Sequence, residues 1–310
     1  MAEVAKGGAA TSIVVVGACH LDRKARAEVP FVAGASNPVV LRSCPGGVAR
    51  NVAENLSRLG LAPALVSRLG RDAEGDALLA SLRALSLDGA GITRSDSAPT
   101  AFHLIALEPD GEMLVAVADM RVYDEITPAL LQDLPAELWK AEVVFADCNL
   151  PAETLGWFAG RRESWLFAAN GVSPAKALRL RGCLARCDLL FVNRQEAATL
   201  LDAPDEAPEA AAAALRRAGV GEVVMTLGAA GLCLAWEGEC VMLPTVATPV
   251  VDITGAGDAL AAAYLEARLR GVAPPAAGQR ALAAARLTVG CAESVSPALT
   301  PAALDSLENA

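Results

Sequence analysis

Seven residues, Asp252-Ile253-Thr254-Gly255-Ala256-Gly257-Asp258, place small side chains between two acids and could handle a phosphoryl group. They join an apolar, strand-like run, Val246 to Val251, to a helix-forming stretch that begins at Ala259. A Gly-Ala-Gly turn at a helix start leaves backbone N–H groups unpaired. Those donors, with the positive end of the helix dipole, suit an anion, and small residues let it approach the main chain. A carboxylate at Asp258 would repel phosphate, so its useful role beside one is to take the proton of an attacking hydroxyl. An ordinary glycine turn with an acid in the following helical turn reads the same, and the local sequence leaves both open.

Other positions carry compatible chemistry. The strand expected at Ile13–Val16 runs into Gly17-Ala18-Cys19-His20-Leu21-Asp22, which sets Asp22 where an open α/β sheet binds ligands. A carboxylate there accepts from a pair of sugar hydroxyls, and His20 either joins it or serves packing. In Pro45-Gly46-Gly47-Val48-Ala49-Arg50-Asn51 the glycines allow close approach at a helix start, and Asn51 offers donor and acceptor together from the first turn. A simple glycine N-cap has the same pattern.

In the second half, Asn193-Arg194-Gln195-Glu196 follows a strand at Leu189–Val192 and puts Asn193 and Glu196 on one face of a first helical turn. Oxygen groups so placed suit hydrated Mg²⁺ bound to phosphates, while a capping box has identical spacing. Thr226-Leu227-Gly228-Ala229-Ala230-Gly231 ends another strand in a glycine turn fit to floor nucleotide phosphates, with Thr226, Gly228 and Gly231 as the contacts.

These groups need a scaffold, and the apolar periodicity supplies one. Strands are expected at Ile13–Val16, Ala64–Leu69, Val143–Ala146, Trp165–Ala168, Leu189–Val192 and Val223–Leu227. Helical patterns at Val48–Leu59, Asp72–Leu85, Pro174–Arg181, Arg194–Leu201 and Glu206–Ala218 lie between most of them. The alternation predicts an α/β protein, a parallel sheet covered by helices on both faces. Residues 23–43 are polar and extended, and residues 99–121 read as a hairpin around Pro109-Asp110-Gly111. Both flank the expected substrate position and predict a small β-lid, surface decoration being the plainer reading.

Composition excludes several classes. A chain of 310 residues with 54% hydrophobic content holds a large core, so one domain over 1–310 with a small appendage is expected. A net charge of −10 argues against a nucleic-acid or anionic-membrane surface, although local dipoles and a metal still admit an anionic substrate. Eight scattered cysteines without a Cys-x-x-Cys pair, and two histidines in all, argue against zinc. The amino terminus shows no leader pattern, and no apolar segment approaches about 18 residues. The reading is a soluble, reducing, cytoplasmic protein with free thiols.

Taken in order, these motifs resemble the ribokinase-like (PfkB-type) carbohydrate kinases over nearly the whole chain. Asp252–Asp258 is the most specific part and Gly46-Gly47…Asn51 the second. The resemblance implies a doubly wound, mostly parallel sheet with a β-lid and transfer of the ATP γ-phosphate to a primary hydroxyl. It implies Asp258 as base and the Gly255, Ala256 and Gly257 amides as anion hole. Asp22, Gly46, Gly47 and Asn51 would hold the sugar; Asn193 and Glu196 would organise Mg²⁺. Potassium would involve Asp252 and the Thr254 carbonyl.

Within the family, the substrate-side segments resemble its pseudouridine-phosphorylating branch. They are Ala35-Ser36-Asn37-Pro38, Pro45–Asn51, Gly111–Ala116 with Asp119-Met120, Ala146-Asp147-Cys148-Asn149 and Asn193–Ala197. This implies Ser36, Asn37 and Asn149 as further substrate contacts. Two departures stand out: His20 replaces a usual Asn, and Asn170-Gly171 replaces a usual Asp-Pro near the expected magnesium-nucleotide region. A kinase of another nucleoside or a sugar, and a binding protein that kept the fold without activity, are the competing readings. Nucleic acid and membrane are not expected partners, and an exposed β-lid invites pairing into a homodimer.

Overall fold

Runs such as Ile13–Val16 and Val143–Asp147 are wholly buried, because a strand of branched and aromatic side chains needs cover on both faces. The computed structural model describes residues 13–161 and 164–308; the amino-terminal stretch read for a leader, residues 1–12, lies outside them.

The chain opens with β1 (Ile13–Val16), β2 (His20–Ala27), β3 (Val39–Gly46), α1 (Val48–Arg58), β4 (Ala64–Gly70), α2 (Ala73–Ala84) and β5 (Asp88–Ser95). Next come β6 (Phe102–Leu107), β7 (Met113–Asp119), α3 (Pro128–Gln132), β8 (Val143–Asp147), α4 (Ala152–Ala159), β9 (Leu166–Asn170) and α5 (Pro174–Ala177). β10 (Leu189–Asn193), α6 (Arg194–Leu201), α7 (Pro208–Arg217), β11 (Glu222–Thr226), β12 (Leu232–Trp236) and β13 (Glu239–Leu243) follow. Three helices close the chain: α8 (Ala256–Leu269), α9 (Pro274–Val289) and α10 (Pro301–Glu308).

The large sheet has nine strands in the order β13-β12-β11-β10-β9-β8-β1-β4-β5, parallel from β11 to β5, with β12 and β13 antiparallel at one edge. Alternation along β1 feeds two cores. Val14 and Val16 join Val144 and Phe167 on one face, while Ile13 and Val15 join Leu56, Phe145 and Tyr264 on the other, under α1 and α8. From β1 the chain proceeds to β4 and β5 on one side, then crosses to β8 on the other. Ligands bind at such a reversal, beyond the carboxyl ends of the strands.

A second sheet, ordered β3-β2-β6-β7, grows from that point. Parallel pairing sets Asp22 on β2 opposite His103 on β6, and antiparallel pairing sets His20 opposite Gly46.

Several expectations shift. Val246–Val251 forms no strand: Pro249 removes a donor, Val246, Val250 and Val251 are exposed, and Val251 N–H reaches the Val289 carbonyl at 2.8 Å. The following helix starts at Ala256 instead of Ala259, which brings Gly257 and Asp258 into its first turn. The helical pattern Pro174–Arg181 resolves into the short α5 and a 3-10 turn at Leu178–Leu180. Among the described residues, no helix is long and apolar enough to cross a membrane, and all eight cysteines are free.

Candidate active site

The turn before α8 has the geometry that its small residues permit. Gly255 is the N-cap at φ +81°, and a Cβ there would collide with the Ser294 carbonyl, so both conformation and space demand glycine. Ala256 N–H turns to the Ile253 carbonyl at 3.3 Å, whereas Gly255 and Gly257 N–H have no acceptor among the described residues. The side of Gly257 that a Cβ would occupy faces open space. Two unpaired donors thus sit at a helix start beside buried Asp258.

Burial raises the Asp258 carboxyl to about 7; the nearby Asp147 and Asp22 charges push the same way, and a hydrogen bond from Asn51 opposes them. That bond runs from Asn51 Nδ2 to Asp258 Oδ2 at 2.8 Å. Its direction is set one residue away, for Arg50 Nη1 donates to Asn51 Oδ1 at 3.0 Å and leaves the amide nitrogen facing the acid. Arg50 is itself held by Glu54 and the Pro45 carbonyl. A carboxylate near neutrality, held by a donor, fits a general base.

Asp22 is the second acid. Its Oδ1 lies 3.3 Å from His20 Nε2 and 3.5 Å from His103 Nδ1, so both histidines of the chain converge on one carboxylate. Burial alone would raise Asp22, but the hydrogen bonds from His103 and His20 outweigh it and hold the carboxyl well below the usual range. His20 Nδ1 lies 3.2 Å from the buried Tyr123 hydroxyl, which also accepts Cys19 N–H at 2.9 Å. A Cβ on Gly46 would collide with the Asp22 carboxylate; Gly47, the N-cap of α1 at φ +98°, lies against the Ala18 carbonyl. The structure therefore brings Asp22, Gly46, Gly47, Asn51 and Asp258 together.

Three residues of this cluster were absent from the sequence-based set. Asp147, fully buried at the end of β8, accepts Ala18 N–H at 2.8 Å and Ala49 N–H at 3.1 Å through Oδ2. Its Oδ1 accepts the backbone and side-chain N–H groups of Asn149 at 2.8 and 2.9 Å. One carboxylate thus ties β1, the start of α1 and the segment after β8. Lys176 donates to Asn149 Oδ1 at 2.5 Å, and burial lowers its pKa. Arg50 is the third. Asp147 and Arg50 had a signal, in the segments Ala146–Asn149 and Pro45–Asn51; Lys176 had none beyond charge.

Two adjoining cavities extend from Asp258. One of about 180 Å³ is lined by Asn170, Asn193, Glu196, Thr226, Gly257 and Asp258. The other, about 350 Å³, shares Asn193 and Thr226 and continues past Gln195, Leu227, Gly228 and Met242. Asn193 and Glu196 form a complete capping box: Asn193 Oδ1 accepts Glu196 N–H at 2.9 Å, and Glu196 Oε2 accepts Asn193 N–H at 2.9 Å. Burial raises Glu196 against that backbone bond. A Cβ on Gly171 would come 2.6 Å from Glu196 Oε2, so the glycine of the Asn170-Gly171 departure leaves this carboxylate its room. The amide and carboxyl oxygens here suit a hydrated Mg²⁺ carried by phosphates. Gly231 turns elsewhere: its carbonyl accepts Leu227 N–H at 2.9 Å, and it packs on the Leu243 carbonyl, closing the β11–β12 hairpin.

Two expected ligands, Asp252 and Asn37, are engaged otherwise. Asp252 Oδ1 accepts Thr254 N–H at 2.9 Å and Thr254 Oγ1 at 2.6 Å, and its Oδ2 pairs with the Lys24 ammonium. Lys24 Nζ also lies 3.3 Å from Thr254 Oγ1. A free cation about 4 Å from that ammonium would meet repulsion of about 4 kcal/mol at an effective dielectric near 20, so the Asp252 carboxylate does not fit potassium. Asn37 spends its amide on the Val32 backbone, at 2.8 and 3.1 Å, and on the Ala35 carbonyl at 3.1 Å; Ser36 is exposed beside it.

A doubly wound sheet, a second small sheet at its strand reversal and a buried acid beside unpaired helix-start amides suit an α/β phosphotransferase. The chain belongs to the pfkB family of carbohydrate kinases, whose sequence profile matches residues 10–301. It is 29% identical over 306 residues to a pseudouridine kinase of Escherichia coli (strain K12), covering 96% of this chain and 97% of the relative. A carbohydrate kinase from Agrobacterium tumefaciens superposes with a TM-score of 0.82 at 31% identity, covering 96% of each chain. An Arabidopsis thaliana ribokinase complexed with ribose and ATP shares the fold, with a TM-score of 0.84 at 23% identity over 97% of this chain and 100% of its own.

Proposed function

We propose that this kinase transfers the γ-phosphate of ATP to the 5′-hydroxyl of pseudouridine. The observation that carries the chemistry is Asp258, a buried carboxylate raised to about 7 beside unpaired amides of the α8 turn. Asn51 occupies Oδ2, which leaves Oδ1 to take the proton of the attacking hydroxyl. The Gly255 and Gly257 amides receive the developing charge on the phosphoryl oxygens; Ala256, turned to Ile253, contributes its small size. Asp22, with Gly46, Gly47 and Asn51, accepts the ribose hydroxyls, and Asn149 positions the Lys176 ammonium. Asn193, Thr226 and Gly228 line the nucleotide cavity. Mg²⁺, when bound, neutralises phosphate oxygens, and Glu196 with Asn193 would hold it through water.

The substrate rests on the similarity to the pseudouridine kinase and on the polar groups around Asp22. With Asn37 spent on its own turn and both ring nitrogens of His20 engaged by Asp22 and Tyr123, base selection falls to His103, which meets Asp22 through Nδ1 alone. Pseudouracil exposes one more N–H than uracil, and an unpaired buried partner costs about 1–3 kcal/mol. We assign the chain as one kinase domain with a lid from residues 23–43 and 99–121. The exposed Val40, Leu41, Met113 and Val115 on its edge strands support pairing of two lids in a homodimer.

The test is kcat/KM with magnesium-ATP across pseudouridine, uridine, adenosine, ribose and fructose 6-phosphate. Pseudouridine should exceed uridine by about tenfold or more. Better turnover of any other acceptor removes the substrate assignment and leaves the kinase.

A further inference from the structure

We propose that the Lys24 ammonium is a built-in monovalent cation for the anion-hole turn, so that this enzyme needs no potassium there. Lys24 lies on β2, in the small sheet, yet its side chain reaches a turn 228 residues further along the chain. It meets Asp252 Oδ2 and lies 3.3 Å from Thr254 Oγ1. The other carboxylate oxygen is filled by Thr254, through its N–H at 2.9 Å and its hydroxyl at 2.6 Å. Both side-chain oxygens of Asp252 therefore have partners, and the charge balancing it is already present. The contact is three-quarters removed from solvent, with 25% of the Lys24 and 23% of the Asp252 side chain exposed, so water screens it only partly.

The placement has a consequence for the anion site. Thr254 precedes Gly255, and the Asp252–Thr254 bonds fix the chain direction just before Gly255 adopts φ +81°. An uncompensated carboxylate here would face the same region as the transferring phosphoryl oxygens and oppose their charge. The ammonium cancels it without touching substrate, which makes Lys24 a positioning residue. Because Lys24 belongs to the small sheet, its contact ties that sheet to the turn.

The proposal rests on the kinase reading only for its rate readout; melting temperature tests it independently. Wild-type protein without nucleotide should melt within about 1 °C in potassium chloride and in tetramethylammonium chloride at matched ionic strength. Lys24→Met should melt lower in tetramethylammonium and recover at least half of that loss in potassium or ammonium chloride. If an acceptor is turned over, the variant should be slowed about tenfold or more in tetramethylammonium and regain several-fold with potassium or ammonium, while wild type changes less than twofold. A wild-type protein stabilised by potassium overturns the proposal, and that arm needs no variant. So does a Lys24→Met protein indifferent to potassium and ammonium; Lys24 then only tethers the sheet. Lys24→Gln repeats the comparison where the methionine variant does not fold.

Discussion

Asp258→Asn separates the base from the scaffold. The amide keeps the size of the side chain and can still accept from Asn51 Nδ2, now 2.8 Å from Oδ2, while losing both charge and basicity. A positioned general base contributes roughly 10²–10⁴-fold, so kcat should fall by that factor. Stability should move the other way. The carboxyl is raised from 3.8 to about 7, chiefly by burial, so the folded state prefers it neutral. That preference supports folding fully below about pH 4 and is lost as pH rises to about 7. A shift of about three units at ~1.36 kcal/mol each makes the ionised carboxylate cost the fold about 4 kcal/mol above neutrality. The variant should match wild type near pH 4 and melt higher at pH 8, by about 8 °C at ~2 °C per kcal/mol. Stopped-flow turnover and melting at the two pH values read both effects. A variant keeping a third of wild-type kcat with chemistry limiting, or one no more stable than wild type at pH 8, would refute the reasoning.

Other outcomes follow from the same contacts. Asn51→Ala removes the donor that lowers Asp258, so the acid limb of the kcat/KM profile, near pH 7 in wild type, should move upward; an unmoved or lowered limb contradicts this. Glu196→Gln keeps the shape of the capping box but removes the charge, and the magnesium concentration for half-maximal rate should rise about 10- to 100-fold; an unchanged requirement would reduce Glu196 to a helix cap.

The scaffold was legible where burial is complete. β1 and α6 fall on the expected residues, because a four-residue apolar run and a capping box each fix their own limits. The Val246–Val251 run misled for the opposite reason: apolar side chains there serve an exposed segment, and Pro249 removes a donor that a partner strand would need. Asp22, Gly46, Gly47, Asn51 and Asp258 were readable because each sits in a short motif next to a strand or helix end. Arg50, Asp147 and Lys24 were not singled out, since their partners are set by folding. Asp147 meets a backbone donor 129 positions away, and nothing near Lys24 points to Asp252, 228 positions on. Ser36 and Asn37 show the limit of motif matching: the sequence offered polar groups, and the local turn consumed the amide.

The central claim is phosphoryl transfer from ATP to the primary hydroxyl of a nucleoside, and the position of the phosphate on the product tests it most directly. Purified protein with magnesium-ATP and pseudouridine should yield one phosphorylated product whose phosphorus correlates, in a ³¹P–¹H spectrum, with the two protons on C5′. Phosphate on the 2′- or 3′-oxygen, or release of free phosphate without any nucleoside product from any acceptor supplied, would contradict the account.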